Sequence, residues 1–252
     1  MNKMTYETIL VKIENRIGIV TINRPNKLNA LNRQVKSELA DVLAKLDKDA
    51  QVDIIVLTGA GDKSFIAGDD IAEFPGRTQN DFLPFQKLTL QIEALKKPVI
   101  AAINGYALGG GCEIALACDF RIASTSSKLG LPEINLGIIP GAGGTQRLPK
   151  LIGKSKALEL IMTGEPIDAT AAKQIGLVDK LVAPQELLEE TLKFARKLLE
   201  KSQLSIQAAK RAVNYSTEHS IKAGLKEELM LLWQLKNTDE SKKRVEKFLK
   251  KK

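Results

Sequence analysis

The chain is short of the residues that nucleophilic and metal chemistry most often require. Its 252 residues include a single histidine, His219, and two cysteines, Cys112 and Cys118. Ser-His-Asp and Cys-His mechanisms need an imidazole beside the nucleophile. His219 falls in a late helical stretch, which argues against both. The cysteines lie six apart within GCEIALACD, which is not the spacing of a zinc-binding pair, and one histidine completes no ligand set. They read as small core residues, and no metal is expected. Aromatic residues make up 4% and no RNA-recognition signature is present, so nucleic acid is disfavoured as a partner. No apolar run reaches the roughly 18–20 uncharged residues of a membrane span. The N-terminal MNKMTYETILVKIE alternates apolar with polar residues and holds no signal-peptide core. A cytoplasmic chain without membrane attachment is the expectation.

What is present is ordinary globular composition, 44% hydrophobic and 27% charged, in a length that suits one large domain or a core with a smaller appendage. The net charge of +8 is mostly lysine dispersed among glutamates on helical stretches, as in Lys36/Glu38 and Glu189/Lys193. Only Lys247 to Lys252 is a dense cluster. A solvated surface with a basic end accounts for this balance, and a phosphate-bearing small molecule is the partner it best allows.

Periodicity gives a coarse map. Residues 7–13 and 17–22 read as paired strands with Arg16 and Gly18 near the turn, and Pro25 ends the second. Asn32 caps a helix over 33–48, with Val35, Leu39, Val42, Leu43 and Leu46 on one face. Strands follow at 53–58, 98–103 and in FRIAS, with a helix over about 80–95 between the first two. Glycines 109–111 open a short helix through Ala117. Helices are expected at 156–162, 168–174 and 185–201, interrupted by a strand at 177–182, and 203–250 is helical throughout. The alternation of strands and helices implies an α/β fold with parallel pairing and a helical C-terminal part.

Residues 97–148 hold the chemistry. Glu113 and Glu133 sit there twenty positions apart, each beside glycine-rich backbone and surrounded by apolar sequence. A carboxylate in such a setting must be desolvated, paired or chemically employed. Three glycine clusters occur, at 67–70, 109–111 and 141–144, and none fits the GxGxxG dinucleotide pattern. Gly153-Lys154-Ser155 resembles the end of a P-loop, but Leu148 occupies the position of its first glycine. The better use of glycine is close approach of backbone N–H groups to a ligand oxygen. Glycines 109–111 stand at a helix start, where free N–H groups and the dipole favour negative charge.

With these residues in view, the chain resembles the enoyl-CoA hydratase (crotonase) family over essentially its whole length. The resemblance is carried by NRPNKLNAL (23–31), SFIAGDDI (64–71), KPVIAAINGYALGGGCEIALACD (97–119), LGLPEINLGIIPGAGGTQRL (129–148) and MTGEPIDATAAKQIGLVDKLV (162–182). It implies a crotonase-like spiral of ββα units over 1–195 and a helical trimerisation region over 196–252, in a homotrimer or dimer of trimers. It implies an acyl thioester of coenzyme A as substrate, with CoA part of the substrate rather than a cofactor. The thioester oxygen would be held by the N–H groups of Asp69 and Gly110. Glu113 and Glu133 would hold a water and handle the protons. Lys27, Leu28 and Ala30 would line the CoA site, and Ala67, Gly68, Asp70, Ile71 and Ala72 would border the thioester and adenine. Reversible hydration of a trans-2-enoyl-CoA, a lyase reaction of fatty-acid and lipid metabolism, is the implied activity. Double-bond isomerisation or another crotonase-type reaction on an acyl-CoA, and a CoA- or RNA-binding trimer without turnover, are the alternatives. One position departs from the pattern: Asp69 stands where a hydratase more often has alanine. A carboxylate aimed at a developing enolate would repel it, so Asp69 is expected to turn towards a basic group or solvent. The segment 72–90 is expected to shape the acyl end of the site.

Overall fold

In the computed structural model, residues 5–250 are described. Residues 1–4 of the expected core region, and Lys251 and Lys252 of the basic end, lie outside them. The chain opens with β1 (Ile9–Glu14) and β2 (Ile17–Ile22), an antiparallel hairpin. Asn15 and Arg16 turn it with φ of 49° and 66°, the left-handed pair that a two-residue hairpin loop needs. Gly18 lies just past the turn, paired with Ile13, where a Cβ would press on Leu46 and Val52 at 3.2–3.3 Å. Helix α1 (Arg33–Lys48) follows, with the Asn32 side chain accepting from the Val35 N–H as its cap.

Three ββα turns come next. The first is β3 (Ile54–Gly59), β4 (Ser64–Ile66) and α2 (Leu83–Ala94). The second is β5 (Val99–Ile103), β6 (Tyr106–Leu108) and α3 (Gly110–Ala117). The third is β7 (Phe120–Ser124), β8 (Lys128–Gly130) and α4 (Gly144–Ile152). The first strand of each turn joins a six-stranded sheet of order β1-β2-β3-β5-β7 with β10 at its far edge, and the second joins a four-stranded sheet. Helix α5 (Lys154–Thr163), β9 (Ile167–Asp168), α6 (Ala169–Gln174) and β10 (Lys180–Val182) finish both sheets. Apart from β1–β2 and β8–β9, the pairings are parallel. The architecture is an α/β spiral of ββα units.

Strands β3 and β5 are buried on both faces, which explains their unbroken apolar runs. Ile55, Leu57, Val99 and Ala101 face α1 and the second sheet, while Ile54, Val56 and Ile100 face α7 (Leu187–Leu199). The 195/196 division expected from the sequence falls inside α7, which stays packed on the sheet through Leu198 and Leu199. The remaining helices are α8 (Gln203–Ser216), α9 (Ile221–Lys236) and α10 (Asp239–Leu249). Of their residues only Leu231 is buried. Helix α8 is moored by Lys210, which meets Asp119 at 2.8 Å and the Lys97 carbonyl at 3.1 Å. Among the described residues no helix is long and apolar enough to cross a membrane.

The sequence reading misjudged two charged residues. Lys36 and Glu38 were expected on a solvated face, yet are 8% and 7% exposed. Glu38 accepts from the backbone N–H groups of Glu7 and Thr8, tying α1 to the chain entering β1. Lys36 is paired with Asp69 at 2.7 Å.

Candidate active site

The glycines of 109–111 are imposed by close approach. Gly109 adopts φ 51°, ψ −123°, open only to glycine at low cost, and turns the chain into α3. A Cβ on Gly110 would stand 2.8 Å from the Phe85 ring, and one on Gly111 would stand 2.0 Å from the Ile66 carbonyl. The start of α3 therefore lies hard against β4 and α2. As the first residue of α3, Gly110 has an N–H with no intrahelical acceptor. Asp69 is bridged in parallel to Leu31, but that bridge uses the Gly68 carbonyl and the Asp70 N–H. Among the described residues, neither the Asp69 nor the Gly110 N–H donates to a backbone carbonyl. Both residues line one cavity of about 570 Å³.

Glu113 lies one turn into α3, where side chains lean towards the helix N-terminus. It is 2% exposed, and its Oε1 accepts the N–H groups of Ala142 at 2.7 Å and Gly144 at 2.8 Å. Gly144 opens α4, so the carboxylate caps the positive end of that helix. Burial pushes the Glu113 pKa up, and the two N–H donors oppose that shift. Glu133 comes from a short 3-10 turn, Pro132–Leu136, after β8. It is half-buried, and its Oε2 has no hydrogen-bond partner among the described residues. Desolvation, aided by the charges of Glu113 and Asp69, lifts its pKa to about 7. The sequence places these two glutamates twenty positions apart in one run, and the fold brings both onto the same cavity.

The Asp69 carboxylate is turned towards basic groups, as expected. Its carboxylate meets Lys36 at 2.7 Å and Arg77 at 3.7 Å, with the two basic side chains only 9% and 2% exposed. Arg77 also pairs with Glu73 and lies over the rings of Phe74 and Phe82. This cluster pins the segment 72–85, which supplies Phe74, Phe82 and Phe85 to the apolar end of the cavity. Ala67, Gly68 and Ile71 are also in the wall. Lys27, Leu28 and Ala30 lie outside it, in the turn whose Leu28 carbonyl accepts from the Ala67 N–H. Asp70 points to Arg24 at 3.1 Å, and it and Ala72 are likewise outside the wall.

Several participants escaped the sequence reading. The third glycine cluster, 141–144, carries the N–H groups that hold Glu113. Its own glycine run was the available signal. Ile134, Leu136 and Ile138, which flank Glu133, complete the apolar wall. Cys112 and Cys118 are buried, with thiols pushed up to about 12, as inert core residues should be. His219 is exposed and stacked on Tyr215. A larger groove of about 1040 Å³ runs beneath α8, on the far side of the 141–144 loop, and contains neither glutamate.

Fold and cavity together define a ββα-spiral protein with two carboxylates on one cavity. Residues 12–252 match the family described as enoyl-CoA hydratase/isomerase, and the chain belongs to that family. It is 46% identical to a crotonyl-CoA hydratase of Syntrophomonas wolfei over 86% of this chain and 85% of that protein. It is 40% identical to a short-chain-enoyl-CoA hydratase of Clostridium acetobutylicum over 98% and 97% respectively. Among solved structures, an enoyl-CoA hydratase from Bacillus anthracis superposes with a TM-score of 0.93 at 37% identity, covering 98% of this chain and 97% of that one.

Proposed function

We propose that the protein catalyses reversible syn addition of water to a short trans-2-enoyl-CoA, giving the 3-hydroxyacyl-CoA. The observation that carries this reading is the pairing of Glu113 and Glu133 on one cavity with two unengaged N–H groups. The thioester oxygen would sit between the N–H groups of Asp69 and Gly110, which stabilise it as negative charge develops. Glu113, whose two N–H donors offset part of the rise that burial causes, takes a proton from water as the oxygen bonds to C3. Glu133, with a pKa of about 7, delivers a proton to C2 of the resulting enolate. Dehydration runs the same steps backwards. The pair is coupled, so each proton affinity depends on the state of the other.

The apolar end formed by Phe74, Phe82 and Phe85 suits a short neutral acyl chain. CoA enters as part of the substrate, and the scheme calls for no resident cofactor or metal. The basic balance of the chain favours a ligand carrying phosphates. We also propose a homotrimer or dimer of trimers, supported by Leu229, Leu232 and Trp233, which α9 leaves 60–65% exposed. A cytoplasmic setting is supported by two buried, free cysteines.

The test follows loss of the conjugated-thioester absorbance of crotonyl-CoA. Wild type should turn over, and Glu113→Gln and Glu133→Gln should each lose about 10²–10⁴-fold in kcat while still binding substrate. Full activity in either variant would sink the two-glutamate scheme. Conversion of 3-enoyl to 2-enoyl thioesters without hydration would select the isomerase. Binding of CoA thioesters or RNA with no turnover would select the non-enzymatic reading.

A further inference from the structure

Glu113 is held by the 141–144 loop, and that loop is held in turn by one face of α2. Gln86, Thr89 and Glu93 lie at i, i+3 and i+7, on one side of the helix. The Gln86 amide donates to the Gly141 carbonyl at 2.8 Å. The Thr89 hydroxyl, on a residue 1% exposed, donates to the Ala142 carbonyl at 2.8 Å. Glu93 grips Arg147 at 2.8 Å, and the Arg147 guanidinium donates to that same Ala142 carbonyl at 3.0 Å. These carbonyls are not incidental. The Gly141 carbonyl and the Ala142 N–H are two ends of one peptide group, so a donor on the oxygen strengthens the N–H bond to Glu113. Fixing the next peptide group through the Ala142 carbonyl orients the Gly144 N–H beyond it.

We propose that this polar stripe of α2 is the positioning element for Glu113, with Thr89 and Gln86 setting the direction and strength of the N–H bonds that its carboxylate receives. The inference rests on the reading of Glu113 as the water-activating base. Thr89 has a single hydroxyl proton, and its alternative acceptor, the Gln86 carbonyl, is the longer contact at 3.1 Å. A valine of the same shape removes the donor and leaves Arg147 alone on the Ala142 carbonyl. The charged groups facing Glu113 are Glu133 from the 3-10 turn, Asp69 after β4 and Arg147 of α4, with Glu93 of α2 behind Arg147. Neither Thr89 nor Gln86 carries charge, so replacing them changes hydrogen bonding and not the local field of charges.

The experiment compares wild type, Thr89→Val, Thr89→Ser and Gln86→Leu in crotonyl-CoA hydration across pH. Thr89→Val should lower kcat roughly tenfold with KM little changed, the size expected from one lost hydrogen bond felt mainly in the reacting state. Weaker N–H donation disfavours the Glu113 carboxylate, so the acid limb of kcat should move to higher pH. Thr89→Ser should restore both values. Gln86 is solvent-exposed, so Gln86→Leu folds regardless and should show a smaller shift in the same direction. A Thr89→Val enzyme with wild-type kcat and an unmoved acid limb overturns the proposal, as does a serine variant no better than valine. Should wild type itself fail to hydrate, the hydratase reading falls, and the crystal structure of Thr89→Val decides this inference separately. The loop should retreat from Glu113, and N–H contacts that persist at 2.7–2.8 Å refute it.

Discussion

The two glutamates face one cavity from walls of different construction. The Glu113 wall is a helix start locked against β4, with its carboxylate capping a second helix and only 2% exposed. The Glu133 wall is a five-residue 3-10 turn closed by Gly137 in the left-handed region, and it offers its Oε2 no partner. Identical side chains thereby meet different hydrogen-bonding surroundings. Burial raises both, but two N–H donors offset part of that rise at Glu113, whereas at Glu133 the charges of Glu113 and Asp69 add to it. In the proposed scheme this difference makes Glu113 the base and Glu133 the acid.

The sharpest way to break this contrast is Gly144→Ala. A Cβ there would stand 2.9 Å from Pro140 Cβ, 3.0 Å from Leu131 Cδ1 and 3.2 Å from Glu113 Oε1. Relief must come from moving the loop, which carries both N–H donors away from Glu113. We expect a folded protein with kcat lowered about 100-fold, the loss that a displacement near 1 Å can cause. Steady-state kinetics alongside circular dichroism checks this. Undiminished kcat would mean that those N–H contacts do not distinguish the two carboxylates.

A smaller effect should appear in stability rather than rate. Glu133 is raised from 4.5 to about 7 in the folded protein. The folded state thus binds this proton more tightly than the unfolded chain does. Its contribution to stability is fully present below about pH 4.5 and is lost as pH rises through 7. Glu133→Gln removes that loss. The Tm advantage of the glutamine variant over wild type should therefore grow between pH 4.5 and 7 and level off above it. A constant Tm difference across that window would show that Glu133 is not desolvated.

Much of this site was legible because it is written in long local signals. Glu113 and Glu133 stand in apolar sequence beside glycine, and the run at 109–111 announces a close backbone approach. The first sheet was legible for a similar reason, since β3 and β5 are continuous apolar runs. The second sheet was not, because β4, β6 and β8 are three residues each and β9 only two, too short to display a period of two. Helix α4 was hidden by its internal Pro149 and by the glycines before it. The stripe of Gln86, Thr89 and Glu93 looks in sequence like an ordinary polar helix face. Its meaning depends on the 141–144 loop, about fifty residues away, and no local pattern reports such a contact. Lys36 misled for the same reason, its partner being the distant Asp69.

Asp69 affords the smallest and most discriminating change. In the proposed scheme its backbone N–H serves the cavity that it lines, while its side chain pairs with Lys36 and Arg77. These duties separate in Asp69→Ala. The N–H survives, so kcat should fall by no more than about threefold, far less than the loss of an oxyanion donor costs. Lys36, with a side chain 9% exposed, is left without its partner, and the fold should lose roughly 2–4 kcal/mol by urea denaturation. Adding Lys36→Met should recover most of that loss, because a buried unpaired charge is worse than an apolar side chain of similar length. The pH profile should move as well. The Asp69 charge helps raise both glutamates, so its removal lowers their pKa values and shifts the alkaline limb, governed by protonated Glu133, to lower pH. If Asp69→Ala instead destroys activity at unchanged stability, the carboxylate acts on the substrate directly, and the contrast between the two glutamates becomes one among three acids.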